Sequence, residues 1–103
     1  ILIVENNGAI ANMQDDAMVE VVCELGINGP RPMRVGNIPQ FNLGLLVNQV
    51  SCEKLIVDAY FENSYQKALE AFTLNRLIND AKKARKVLDA LIEANKGMWP
   101  ELR

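Results

Sequence analysis

The side chains best suited to chemistry are few and widely spaced. Glu5-Asn6-Asn7-Gly8-Ala9-Ile10 places two amides directly after an apolar run, and Asn-Gly favours positive φ, so the run must end in a tight turn. Side-chain amides at a strand end can hydrogen-bond sugar hydroxyls, which makes Asn6 and Asn7 the substrate-facing candidates; ordinary turn chemistry is the simpler use of the same residues. Asp15-Asp16 offers a carboxylate pair for a cation or for acid–base work. Adjacent residues of an extended segment point to opposite faces, however, and a solvated loop fits better. Lys82, Lys83, Arg85 and Lys86 form a basic cluster suited to phosphate, but they open a helix, where positive charge opposes the macrodipole. Arg85 stands four residues before Asp89, with Glu93 beyond, which marks a solvated charged face. Cys23 and Cys52 lack CxxC spacing and read as reduced packing residues. The chain has no histidine, the usual base near neutral pH and the commonest nitrogen ligand for transition metals. Neither GxGxxG nor a P-loop occurs. No residue is therefore assigned a catalytic, cofactor-binding or metal-binding role.

The elements that must carry these residues are organised around Gln40–Glu62, which has no proline and only Gly44 as an interior breaker. It reads as one long, central helix. Apolar residues at Leu43, Leu46, Val47, Val50, Leu55, Ile56, Ala59 and Tyr60 are widened by Leu45, Cys52, Val57 and Phe61. The polar strip is confined to Ser51, Lys54, Asp58 and Glu62 with Glu53 beside it, so most of the circumference calls for burial, with Leu46 and Leu55 as core anchors. Ahead of it, Ile1 to Val4 reads as a buried strand. Ala17 to Leu25 partly alternates, with Val19, Val21, Cys23 and Leu25 on one side and Glu20 and Glu24 on the other, and reads as one half-buried strand. Gly26 to Pro32 concentrates turn residues, so Met33-Arg34-Val35 is the expected return strand of a hairpin. After the long helix, Ser64 is an N-cap for a second helix, Tyr65–Leu74, with Tyr65, Ala68, Leu69 and Phe72 inward. Asn79 or Asp80 opens a third, with Ala81, Ala84, Leu88, Leu91 and Ile92 on its inner face and Gly97 and Pro100 stopping it. The fold class is α+β: a small, mainly antiparallel sheet, made of the N-terminal strand and a hairpin, packed on three helices.

At 103 residues, half of them hydrophobic and with net charge −2, the chain has the size and balance of one globular domain, residues 1–103. No basic excess draws nucleic acid, and no apolar run is long enough to span a membrane. The first residues lack the basic start of a signal peptide, so a cytoplasmic location is expected. A buried strand beginning at Ile1 without an initiator methionine suggests a piece cut from a longer parent.

Five blocks in order, ENNGAIANMQDDAMVEV, NGPRPMRVGNIPQF, QVSCEKLIVDAY, SYQKALEAFTLNR and LIEANKGMWPELR, together resemble the carboxyl-terminal region of the family-four glycoside hydrolases. The pattern is most similar to the 6-phospho-α-glucosidases acting on maltose 6'-phosphate, with 6-phospho-β-glucosidases next. It departs from the family at Val22, where proline commonly follows VEV, at Leu77-Ile78-Asn79, where a TVP-like segment is usual, and at Gly97-Met98, where DY commonly precedes WPEL. The resemblance implies an enzyme that uses NAD and a divalent metal, commonly manganese, to oxidise the sugar at C3, remove the C2 proton and eliminate the aglycone. It also implies that the dinucleotide fold, the metal ligands, the tyrosine base and most phosphate contacts precede this segment; neither Cys23 and Cys52 nor Tyr60 and Tyr65 match those positions. The chain by itself is thus expected to be inactive, to pack against the remainder of the parent, and to belong to a homo-oligomer acting on 6-phospho-disaccharides. Two rival readings are a stand-alone interaction module derived from the family, and a small sugar-phosphate-binding domain using Asn6, Asn7 and the basic helix.

Overall fold

The computed structural model describes all residues, Ile1–Arg103, and they gather into two compact units, Ile1–Val47 and Asn48–Arg103. In the first, strands β1 (Leu2–Glu5) and β2 (Met18–Val21) pair antiparallel, with Leu2 opposite Val21 and Glu5 opposite Met18. A second antiparallel pair, β3 (Cys23–Gly26) and β4 (Gly29–Pro32), sets Cys23 opposite Pro32 and Gly26 opposite Gly29. The architecture is α+β, with two two-stranded sheets and three helices.

Three sequence expectations shift here. The strand expected to be buried at Ile1 to Val4 is largely exposed, Ile1 and Ile3 most of all, with Val4 half-buried. The expected strand Ala17–Leu25 is broken at Val22, which belongs to neither pair; its carbonyl accepts from the Met33 N–H at 2.9 Å. The alternation continues through the break, so the pattern gives no warning of it. The return strand of the hairpin is Gly29–Pro32 and not Met33–Val35. Proline is tolerated in a strand whose N–H side has no neighbour, and β4 is such an edge, so Pro30 and Pro32 do not prevent pairing. The chain reverses through Ile27 and Asn28, which keep negative φ, before Gly29 takes φ +96°.

Helix α1 (Gln40–Glu62) begins where the Pro39 carbonyl accepts from the Leu43 N–H at 3.0 Å. It stops at Asn63, whose φ of +55° lets the Ser64 N–H reach back to the Ala59 carbonyl at 2.9 Å, the closing bond of a Schellman motif. Ser64 at once caps α2 (Tyr65–Leu74), its hydroxyl accepting from the Lys67 N–H. Asp80 caps α3 (Ala81–Ala94) through a 2.7 Å bond from the Lys83 N–H. Both caps sit where the sequence puts them. Arg103 is strapped to the α1–α2 corner: its N–H donates to the Asn63 carbonyl at 2.7 Å and its carbonyl accepts from the Tyr65 N–H at 3.0 Å.

The core of Asn48–Arg103 is Ala59, Ala68 and Leu88, with Ile56, Tyr65, Leu69, Phe72, Ile92 and Leu102 partly buried around them. On α1 one covered strip is Cys52, Ile56 and Ala59, at helical spacing. The expectation that α1 buries most of its girth does not hold. Leu46 is 39% exposed, Val57 and Tyr60 more than half, and Phe61 77%, while Leu55 is only half-buried. On another side of the helix Val50 is buried, with Leu43 and Val47 half-buried at helical spacing from it. No helix is long and apolar enough to cross a membrane.

Candidate functional site

In Ile1–Val47 the organising residue is Asn6. The chain leaves β1 into a turn, Asn6-Asn7-Gly8-Ala9, closed by a 2.7 Å bond from the Ala9 N–H to the Asn6 carbonyl. Asn7 has φ +42° and Gly8 φ +80°, the two left-handed residues of a type I′ turn. With its backbone so fixed, the Asn6 side chain is fully buried and bonded on both ends. Its Nδ2 donates to the carbonyls of Ile10 at 3.0 Å, Met13 at 3.2 Å and Gln14 at 3.0 Å, and its Oδ1 accepts from the Ile10 N–H at 2.7 Å. The Asn6 N–H donates to the Ala17 carbonyl at 2.8 Å. One amide thereby gathers the whole connection between β1 and β2, and buried Ala9, Ile10, Met13 and Ala17 pack around it. No donor hydrogen of Asn6 is left over for a ligand.

Asn7 is placed differently. It is exposed, its N–H bonds the Asp15 carbonyl at 2.9 Å, and its Nδ2 reaches Glu5 Oε2 at 3.1 Å. It lines a cavity of about 480 Å³ with Ala9, Glu24, Arg31, Pro32, Met33 and Arg34. Arg31 pairs with Glu24 across the β3–β4 ladder, where the two are register partners. Arg34 adds a second, exposed guanidinium. An amide beside two guanidinium groups suits an anionic or polyhydroxylated ligand, since a guanidinium fork matches carboxylate and phosphate oxygens in pairs. Sequence reasoning singled out Asn7 but not Arg31 and Arg34. The signal for them is their three-residue spacing in NGPRPMR, immediately after a turn that returns the chain alongside Glu24.

The other candidates stay apart. Asp15 and Asp16 lie exposed on the loop. Lys82, Lys83, Arg85 and Lys86 are exposed on α3 in the other unit, and Asp89 accepts a 2.7 Å bond from the Tyr65 hydroxyl, which ties α2 to α3. That hydrogen bond, helped by partial burial and the Asp89 charge, raises the Tyr65 phenol above its ordinary value. Lys67 Nζ holds Glu62 Oε1 at 2.6 Å and Asp58 Oδ2 at 3.2 Å, which raises its ammonium likewise. Both cysteines are free; burial pushes the Cys52 thiol up, away from nucleophilic use. No three His, Cys, Asp or Glu side chains gather where a metal could be held, so the residues of this chain do not fit the metal that the resemblance implies. A larger concavity of about 750 Å³ in the helical unit is lined by Leu55, Leu69, Thr73 and Leu74, with Glu70 and Arg76 as its charged side chains.

Residues 1–78 match the model of the family 4 glycosyl hydrolase C-terminal domain. The chain belongs to this family. Maltose-6'-phosphate glucosidase of Bacillus subtilis (strain 168) is 56% identical over 102 residues, 99% of this chain and 23% of its own length. The maltose-6'-phosphate glucosidase of Fusobacterium mortiferum is 53% identical over 103 residues, again 23% of its length. Among solved structures, a 6-phospho-alpha-glucosidase from gut microorganisms, in complex with NAD and Mn2+, superposes with a TM-score of 0.95 at 84% identity, over 98% of this chain and 23% of that one. The 6-phospho-beta glucosidase of Thermotoga maritima superposes at 0.87 with 28% identity, over 98% of this chain and 25% of its own. This family 4 C-terminal domain therefore spans about a quarter of the length of the relatives it matches.

Proposed function

We propose that the chain is the C-terminal segment of a 6-phospho-α-glucosidase that cleaves phosphorylated disaccharides by redox elimination, with NAD and a divalent metal, manganese above all, held by other parts of the protein. The observation that carries this reading is identity of 53–56% to maltose-6'-phosphate glucosidases along essentially the whole chain, against 40% to a probable 6-phospho-β-glucosidase. The segment supplies no catalytic group. Its role is to brace the substrate-binding part of the enzyme, with the type I′ turn at Asn6-Asn7 as its pocket-facing element: Asn6 builds the turn and Asn7 presents an amide.

Packing against the remainder of the protein and against further copies is part of the same proposal, supported by the apolar side chains α1 leaves exposed, Phe41, Val57 and Phe61 among them. A cytoplasmic setting accords with two free cysteines. The test is turnover of chromogenic 6-phospho-α- and 6-phospho-β-glucosides with NAD and Mn2+ by the full-length protein and by the 103-residue chain alone. Activity on the α substrate by the former and none by the latter is expected; turnover by the chain alone, or a preference for the β substrate, would refute the proposal.

A second reading, direct contact with an anionic sugar, rests on the cavity that joins Asn7 to Arg31 and Arg34. In the full-length enzyme Arg34→Ala should then raise KM and leave kcat in place. An unchanged KM would remove this reading and leave the first intact.

A further inference from the structure

We propose that Asn28 is a site of spontaneous deamidation, and that the hairpin tip it occupies is converted with age from neutral to negatively charged. The chemistry needs only water. The backbone nitrogen of Gly29 attacks Asn28 Cγ, a C–N bond closes a five-membered succinimide, and the Cγ–Nδ2 bond breaks. The nitrogen loses its proton and Nδ2 leaves as ammonia. Water then opens the ring at either carbonyl, giving aspartate or isoaspartate, so that one water enters for each ammonia released. Glycine is the residue that least hinders this attack, because no Cβ crowds the nucleophilic nitrogen and its φ is free to change.

Two Asn-Gly pairs occur, Asn7-Gly8 and Asn28-Gly29, and the structure treats them in opposite ways. Asn7 is held in the type I′ turn, its N–H bonded to Asp15 and its side chain to Glu5, in a loop gathered by the buried Asn6 amide. Asn28 is exposed and its amide has no hydrogen-bond partner within the chain. Its ribbon has no buried face: from Glu24 to Arg31 every residue is exposed, Leu25 77% and Ile27 completely. Two-stranded ribbons without a covered face are marginally stable in water, so this tip opens far more often than the Asn6 loop and visits the geometry that ring closure requires. The product carboxylate would share a concavity with Glu24 and Arg31, whose ion pair it would compete for.

The experiment is peptide mapping by mass spectrometry of the full chain incubated in mildly alkaline oxygen-18 water, with a parallel sample in denaturant. Incorporation of the heavy oxygen distinguishes conversion during incubation from conversion beforehand. The native sample should convert Asn28 several-fold faster than Asn7, and denaturant should bring the two to similar rates. Asn28→Gln should abolish labelling at the tip and leave Asn7 unchanged. Equal native rates at both positions, faster conversion at Asn7, or an Asn28 that stays intact would overturn the proposal.

Discussion

The two halves of the chain solve the same problem with opposite materials. Asn48–Arg103 is held as helical units usually are, by apolar contact: Leu88 is fully buried and alanines at 59 and 68 let the helices approach it. Ile1–Val47 has short strands with largely exposed faces, and its fully buried side chain of any size is an amide. A buried polar group is costly unless satisfied, and Asn6 is satisfied at every position, so it substitutes directional bonds for a core too small to hold by area. The difference has a functional side. Directional bonds fix one turn geometry closely, which suits a loop that presents Asn7, whereas apolar packing suits a scaffold that only needs to be stiff.

The largest expected effect breaks the polar half. Asn6→Ala strands the Ile10 N–H and the Met13 carbonyl and leaves the Ile10 and Gln14 carbonyls with one backbone donor each; with each stranded buried group costing about 1–3 kcal/mol the loss should be on the order of 4 kcal/mol in a denaturant melt. Leu88→Ala breaks the apolar half, at about 3 kcal/mol, within the 2–5 kcal/mol range for such truncations. Asp80→Ala removes the cap of α3 and should cost about 1 kcal/mol, seen as lost helicity by circular dichroism.

A smaller effect is pH-dependent. The folded state raises the Tyr65 phenol, so it favours the neutral hydroxyl; that contribution is complete below the ordinary phenol value near 10 and is lost as pH rises through the raised one. Lys67, also raised, loses its contribution over the same alkaline range. Tyr65→Phe should therefore lower the melting temperature slightly at neutral pH, by the roughly 0.5–1.5 kcal/mol of one hydrogen bond, and flatten the fall above about pH 10. Leu46→Ala, on the exposed side of α1, should cost less than about 1 kcal/mol.

The helical half was the more legible in the sequence. Its bounds are written in local chemistry: Ser64 and Asp80 cap through their own side chains, and Asn63 stops α1 by adopting a left-handed φ. Burial on α1 was not legible, because an apolar pattern states what a face would gain from cover and not whether cover is there; Leu46 and Phe61 carry the pattern and remain exposed. In the strand half, the break at Val22 was hidden by an alternation that runs straight through it, and Pro30 and Pro32 looked like loop residues although an edge strand accepts them. The role of Asn6 was hidden for another reason. Its partners are backbone carbonyls at 10, 13 and 14, groups that every residue carries, so no side-chain type announces them. Arg31 and Arg34 had a readable spacing, but only the two-residue reversal at Ile27 and Asn28 sets Arg31 opposite Glu24.

Native-state hydrogen exchange on Asn6→Ala, residue by residue, tests the division most directly. Protection should collapse at the Asn6 loop, at the amides of Asn7, Ala9, Ile10 and Ala11, and stay in place at Ala84 and Leu88 of α3. Equal loss throughout Ile1–Arg103, or undiminished protection at Ile10, would contradict the account that a single buried amide holds one half while apolar contact holds the other.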